Sequence, residues 1–231
     1  MGNNAPMKYA SVTDNLTQLT KFGFINAFLV REDDGLTLVD TTMRAADELI
    51  DAAQRAGGEI RRIVLTHGHG DHVGSLDALR EKLGDGVPVM MPELDARIHA
   101  GEDVTGGKKP PGSWPKLSTV PDVRFAGGER VGSLEVVPTP GHTPGHVSFL
   151  DTRDRSLIAG DVVTSFGRLE VPNHFNWRFP LATPPTWDKA MDLESARAVR
   201  ALEPTLLVTG HGPPIRDPGA ELDAAIARAE G

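Results

Sequence analysis

The sequence predicts an α/β fold in which two β-sheets pack face to face, with helices on the outer faces. Two patterns point to it: strands that follow one another as hairpins, and strands that alternate with helices. The chain has 231 residues, of which 39% are hydrophobic, and this length allows a sizeable core. No linker composition interrupts the chain, so we predict one domain over residues 1–231.

The first half contains hairpin strands followed by βα units. Strands are predicted at residues 16–19, 24–30 and 36–40, where apolar and β-branched residues lie between turn residues. A helix over 45–56 is closed by a glycine pair. Strands and helices then alternate at residues 61–65, 74–83, 87–91 and 93–100.

The second half is rich in strands and ends in helices. Several strands are predicted between residues 123 and 158, and another at 206–208. A last helix begins at residue 219. The helix before it, over 186–202, is predicted to bury an apolar side formed by Trp187, Met191, Ala198 and Leu202.

Residues 67–72 carry three histidines and one aspartate, directly after an apolar strand pattern. The whole chain has only eight histidines, so chance does not explain this concentration well. Imidazole and carboxylate together suit zinc, iron or manganese. His67 and His69 occupy alternate positions, so their side chains point to the same side, and Asp71 and His72 follow at the next turn. One loop can therefore serve two neighbouring metals.

Three further segments place possible ligands on loops at strand ends. They are residues 139–146, 159–161 and 209–212, which contain histidines and an aspartate and each follow a short apolar or β-rich run. Four such loops can converge on one edge of a sandwich of two sheets. The sequence therefore predicts a metal centre at that edge.

The ordered set H-x-H-x-D-H, a single His, an Asp and a last His resembles the metallo-β-lactamase superfamily. The resemblance covers most of the chain and implies an αββα sandwich of two mixed β-sheets with helices on the outer faces. It also implies a ligand set for two metals. One metal is held by His67, His69 and His142, the other by Asp71, His72 and His211, and Asp161 bridges them.

The resemblance implies a dinuclear metal-dependent hydrolase acting on a carbonyl ester, lactone or thioester. Seven protein ligands leave positions for substrate and for a hydroxide between the metals, which acts as the nucleophile. Asp71 is expected to orient this hydroxide and to pass its proton to the leaving group, in addition to its place among the ligands. We expect both divalent ions to be zinc. Iron and manganese remain alternatives, because the same ligands accept them.

Two other functions stay open at this point. The chain also resembles persulfide dioxygenases, which use the same scaffold with one iron. A non-catalytic metal-binding protein is the third hypothesis, which the retention of both ligand sets disfavours.

Missing residues help to sort the branches of the superfamily. The chain has no cysteine and its only tyrosine is Tyr9. It therefore lacks the thiolate ligand of one β-lactamase branch. It also lacks the tyrosine that acyl-homoserine lactonases carry three residues after the bridging aspartate, where Thr164 lies here. Residues 212–231 are too few for the helical extension of glyoxalase II enzymes, so we expect a small neutral or apolar ester as substrate.

Residues close to the ligands are expected to support them. His146 shares a loop with His142 and is expected to hydrogen-bond behind the site instead of binding metal. Asp40, Thr66 and Thr139 are expected to orient imidazoles.

Two long loops are expected beside the site. Residues 101–116 are interpreted as an exposed loop over it. The segment 166–185, which contains Phe175, Trp177 and Phe179, is interpreted as a pocket wall, a dimer contact or a loop packed on its own core. A substrate contact at His174 stays open, and His99 is expected on a helix surface.

The net charge of −8, from 24 basic and 32 acidic residues, argues against nucleic acid as a partner. A small-molecule substrate is expected, and a homodimer is an open alternative. Residues 1–14 show no signal peptide, and no run approaches the roughly 20 apolar residues that span a membrane. We therefore expect a cytoplasmic protein.

Overall fold

The structure is a computed structural model that describes residues 6–231. Residues 1–5 belong to the segment in which no signal peptide is predicted, and they lie outside the described part. The first sheet has seven strands in chain order. They are β1 (Lys8–Ser11), β2 (Leu16–Lys21), β3 (Ile25–Glu32), β4 (Gly35–Val39), β5 (Ile60–Val64), β6 (Val89–Pro92) and β7 (Val123–Phe125).

The strand directions in this sheet follow from the connections. Short turns join the first four strands, which pair antiparallel. The later pairs are parallel, because a helical crossover returns the chain to the same end of the sheet. The crossover helices are α1 (Ala46–Arg55), α2 (Gly70–Val73), α3 (Leu76–Leu83) and α4 (Glu93–His99).

The second sheet has six strands in the order β13-β12-β11-β10-β9-β8. They are β8 (Arg130–Val131), β9 (Leu134–Pro138), β10 (Val147–Asp151), β11 (Ser156–Ile158), β12 (Leu206–Val208) and β13 (Ile215–Arg216). Only β11 and β12 pair in parallel. Helix α5 (Lys189–Ala201) makes the crossover between them, and α6 (Gly219–Glu230) ends the chain.

Three buried apolar clusters define the layers. Phe28 of the first sheet and Phe149 of the second belong to the cluster between the sheets. Outside the first sheet, α1 and α3 bury their apolar faces against it, and α5 and α6 do the same outside the second. Burial of each large apolar side chain contributes about 1.5–3 kcal/mol. The predicted αββα sandwich of two mixed sheets is confirmed.

Several boundaries differ from the prediction. The edge strands β1 and β13 were not predicted, and α2 begins inside the ligand motif, ahead of the predicted helix over 74–83. The described residues contain no helix that is long and apolar enough to cross a bilayer.

The predicted apolar side of the helix over 186–202 is confirmed only for Leu202, which packs against the cluster outside the second sheet. Met191 and Ala198 are exposed, because α5 turns a mixed polar and apolar face inwards. This face contacts the ligand loop 139–146, where Ser195 Oγ donates a hydrogen bond to the Pro140 carbonyl at 2.6 Å. The residues buried on this face are Asp192, Ser195, Ala196 and Val199.

Candidate metal centre

All four predicted ligand loops meet at one edge of the sandwich. The loop 67–72 follows β5, and the loop 139–146 follows β9. Asp161 follows β11, and His211 follows the parallel neighbour β12. The structure brings all seven predicted ligands into three overlapping groups, in each of which the possible ligand atoms lie within 4.8 Å of one another.

The first group consists of three buried histidines, His67, His69 and His142. His69 Nδ1 lies 3.1 Å from His142 Nε2. Burial lowers the pKa of His69 to about 4 and holds the pKa values of His67 and His142 well below their ordinary value. All three rings are therefore neutral at pH 7, as a metal ligand must be.

The second group joins Asp71, His72 and His211. His211 Nε2 lies 3.3 Å from Asp71 Oδ2. Burial alone lowers the pKa of His211, but the carboxylates of Asp161 and Asp71 raise it to about 9. The same carboxylates and that of Asp40 raise the pKa of His72 well above its ordinary value. This half of the site thus concentrates negative charge that favours a cation.

Asp161 lies between the two groups. Its Oδ2 is 3.5 Å from His142 Nε2, 3.4 Å from His72 Nε2 and 3.2 Å from His211 Nε2. Burial opposes ionisation, but the neighbouring charges of His211 and His72 hold the pKa of Asp161 well below its ordinary value. Asp161 therefore lies within 3.5 Å of histidines from both groups.

Hydrogen bonds on the far side of each ring fix which nitrogen is turned to the cluster. As predicted, Asp40 Oδ2 lies 2.8 Å from His72 Nδ1 and Thr66 Oγ1 lies 3.0 Å from His67 Nδ1. A partner on one ring nitrogen leaves the other free to bind an ion.

Three further ring partners were not predicted. His211 Nδ1 donates to the Phe24 carbonyl at 2.9 Å, and His69 Nε2 donates to the Pro111 carbonyl at 3.2 Å. Thr186 Oγ1 lies 3.2 Å from His142 Nδ1. Backbone carbonyls carry no sequence signature, so only the fold shows the first two. Pro111 lies in segment 101–116, which therefore covers the site as predicted.

The role expected of His146 agrees with the structure. Its Nε2 accepts a hydrogen bond from the backbone N–H of Asp161 at 2.9 Å, and its Nδ1 lies 2.9 Å from Thr139 Oγ1. Burial lowers the pKa of His146 to about 3, so the neutral ring holds the loop of Asp161.

The surface position expected of His99 is wrong. The ring is half-buried against Trp114, with a centroid distance of 5.3 Å. Its nitrogens lie 2.8 Å from the Gly68 carbonyl and 3.0 Å from the Pro115 carbonyl. α4 turns this ring towards the ligand loop, so His99 joins that loop to the segment that covers the site.

A pocket of about 390 Å³ opens in front of both ligand groups. Of the aromatic residues in segment 166–185, Phe179 lines it, whereas Phe175 and Trp177 are 71% and 73% exposed and do not. His174 does not line the pocket either, and its Nδ1 lies 2.9 Å from Asn173 Oδ1. Part of the segment is thus a pocket wall, as one of the three interpretations held.

The residues present fit divalent metal ions. Within residues 6–231, the buried atoms His67 Nε2, His72 Nε2 and Asp161 Oδ1 have no hydrogen-bond partner. Buried polar atoms without a partner are unfavourable unless another group satisfies them. The donors are imidazole nitrogens and carboxylate oxygens, which zinc, iron and manganese accept.

An αββα sandwich with such a donor set at one edge defines a metallo-hydrolase-type protein. The family model of the metallo-beta-lactamase superfamily matches residues 20–211. The chain belongs to this superfamily.

Two relatives and one solved structure illustrate the similarity. The uncharacterized protein YobT of Bacillus subtilis (strain 168) is 38% identical over 89% of this chain and 91% of its own. A hydroxyacylglutathione hydrolase of Rhodopseudomonas palustris (strain ATCC BAA-98 / CGA009) is 35% identical, over 53% of this chain and 41% of its own. TTHA1623, solved in a di-iron-bound form, is 27% identical and has a TM-score of 0.67 over 91% of this chain and 96% of its own.

Proposed function

We propose that the protein is a dinuclear metal-dependent hydrolase of esters, lactones or thioesters with a neutral, apolar acyl part. The observation that carries the proposal is the pocket of about 390 Å³, which opens directly onto both ligand groups. Its wall is apolar, and its charged or titratable residues are all predicted ligands. The apolar wall is formed by Phe22, Phe24, Ile25, Met43, Phe179, Leu181, Ala182 and Pro185.

Two ions suit the arrangement of the donors. The three-histidine group would hold one ion, the group of Asp71, His72 and His211 the other, and Asp161 would contact both. Divalent ions in such a site supply hydroxide at neutral pH and polarise a carbonyl oxygen. We propose zinc first, and the di-iron form of TTHA1623 supports iron as the alternative.

Asp71 is the residue proposed to move a proton. Its side chain is 31% exposed and lines the pocket, whereas that of Asp161 is almost entirely buried. A carboxylate at the pocket wall can accept a proton from the attacking water and deliver it to the leaving group. No other protein nucleophile is required.

The wall sets the preference for the substrate. Phe179 and Leu181 form the side of the pocket that would contact an acyl chain. Among the described residues, no lysine or arginine lines the pocket. A glutathione thioester brings two carboxylates that would find no cationic partner there, so we favour a neutral substrate over that of the hydroxyacylglutathione hydrolases.

A matched pair of substrates tests this proposal on protein of defined metal content. The same apolar acyl group is offered as a thioester of glutathione and of the neutral thiol N-acetylcysteamine, beside aryl esters and lactones. We expect kcat/KM to be at least about tenfold higher for the neutral thioester. A preference for the glutathione thioester would contradict the proposed substrate class. Persulfide-dependent oxygen uptake without esterase activity would contradict hydrolysis.

A further inference from the structure

Asp95 is a fully buried carboxylate that belongs to none of the ligand groups. Its Oδ2 accepts hydrogen bonds from the Gly68 backbone N–H at 2.8 Å and from Thr143 Oγ1 at 2.7 Å. Its Oδ1 accepts from the Gly145 backbone N–H at 2.8 Å. Burial raises the pKa of Asp95 to about 6 and these three donors oppose the rise, so the group is ionised at pH 7.

The three donors come from two ligand loops that follow strands of different sheets. Gly68 lies between His67 and His69 on the loop after β5, which belongs to the first sheet. Thr143 directly follows His142 on the loop after β9, which belongs to the second. A single side chain on α4 therefore joins the two loops that together carry the three-histidine group.

The loop of Gly145 approaches Asp95 closely. A Cβ atom at Gly145 would lie 2.7 Å from Asp95 Oδ1 and 2.9 Å from its backbone nitrogen, which is closer than real Cβ contacts. Glycine at this position lets the second loop approach the carboxylate. The contact is thus built by both partners, the buried acid on α4 and the glycine of the loop.

We propose that Asp95 is a positioning residue that sets the distance between His142 and the pair His67 and His69. This inference rests on the metal centre of the proposed function, and it extends that centre to a residue that contacts none of the ligand groups. By holding both loops, Asp95 determines the geometry of the three-histidine group. In the other group, Asp71 and His72 lie three and four residues after Gly68 on the same loop, and among the described residues Asp95 makes no hydrogen bond to the loop of His211.

Replacement by asparagine separates the charge and acceptor role of Asp95 from its size. Whichever way the amide is turned, its NH₂ group faces a backbone N–H, either that of Gly68 or that of Gly145. Asp95→Asn therefore loosens one of the two loops without leaving a cavity.

Asp77→Asn is the matched control. Asp77 also accepts backbone hydrogen bonds from a loop, from Ser118 at 2.9 Å and Thr119 at 2.8 Å, but it joins no ligand loop. Both variants and the wild type are titrated with Zn²⁺ against a chromophoric chelator, and the Co²⁺ forms are compared by their visible d–d spectra.

We expect Asp95→Asn to weaken binding of one of the two ions about 10–100-fold, the usual effect of losing a partner behind a metal site. Its Co²⁺ spectrum should change, whereas Asp77→Asn keeps wild-type affinities and spectrum. A folded Asp95→Asn protein with wild-type affinities and spectrum would overturn the proposal, even if its thermal stability fell.

A second pair of variants covers the case in which Asp95→Asn does not fold. Thr143→Val removes one donor to Asp95 and keeps the side-chain shape, whereas Thr143→Ser keeps the hydroxyl. We expect weaker metal binding for valine and wild-type binding for serine. Equal, wild-type affinity in both variants would overturn the proposal. A wild-type protein that binds no divalent ion would instead refute the proposed function itself, so the two failures are distinguishable.

Discussion

Replacement of Asp71 by asparagine tests whether this residue moves a proton or only binds metal. The substitution keeps the size of the side chain and removes its charge and its basicity. Asp71 Oδ2 lies 3.3 Å from His211 Nε2 and 3.9 Å from His72 Nε2. Because Asp71 is also a predicted ligand, the two roles must be separated by magnitude.

The pKa of His211 shows how the carboxylates act on a positive charge in this half of the site. Against the effect of burial, Asp161 and Asp71 raise this pKa from 6.5 to about 9, a net shift that corresponds to about 3 kcal/mol. Asp161 makes the larger contribution and Asp71 the smaller one. We therefore expect Asp71→Asn to leave substantial metal bound, because Asp161, His72 and His211 remain, and excess metal in the assay restores full occupancy. Loss of general acid–base catalysis, in contrast, lowers turnover at least about 10²-fold.

The assay measures metal content and steady-state kinetics on the same samples, with Asp77→Asn as the surface control. The assay compares two esters that share one acyl group, a nitrophenyl ester and an alkyl ester. If Asp71 protonates the leaving group, the deficit should be larger for the alkyl ester, because an alkoxide is the poorer leaving group. Activity within a few-fold of wild type, with metal intact, would refute the catalytic role.

The remaining predictions concern the metals, the pocket wall and the response to pH. Metal-replete protein should hold two divalent ions about 3.5–4 Å apart, and Asp161→Ala should lose one; a structure with a single ion under metal-replete conditions would exclude a dinuclear centre. Phe179→Ala should raise KM or reorder substrate preference with metal content unchanged, whereas Trp177→Ala, whose side chain is 73% exposed, should leave both unchanged. An effect of equal size from both variants would contradict the pocket as described. Chelator-treated protein should release protons from His211 and His72 when it binds metal, because the pKa of His211 is about 9 and that of His72 is raised well above its ordinary value. Apparent affinity should therefore fall as pH decreases below 9, and calorimetry in buffers of different ionisation enthalpy should detect the released protons, whereas a pH-independent affinity would contradict the charges assigned to these two rings.

The predicted ligands could be read from the sequence because their signal is local. Histidine and aspartate are the residue types that bind such metals, and here each follows an apolar strand pattern at a fixed, short distance. The resemblance to an ordered family pattern then assigned the residues to two groups, and the structure places these residues together. The strands and helices that carry the site were predictable for the same reason, since hydrophobic periodicity is a local property of the chain.

The residues that support the ligands were less predictable. Asp40 and Thr66 lie close to ligand motifs and were expected to support them. Asp95 lies on α4 and Thr186 in the loop before α5, and neither carries a metal-site motif. The carbonyls of Phe24 and Pro111 have no residue-type signal at all, since every residue has one. Their roles follow from which loops the two sheets bring together.

The pocket wall shows the same limit. Phe179 and Trp177 lie two residues apart in one aromatic loop, yet one lines the pocket and the other faces solvent. The sequence by itself determined the fold class and the candidate ligands, because both depend on short-range patterns and residue chemistry. Only the tertiary structure decided the hydrogen-bond partners, the buried face of α5 and the direction of each aromatic side chain. These depend on packing between segments far apart in the chain, which no local pattern contains.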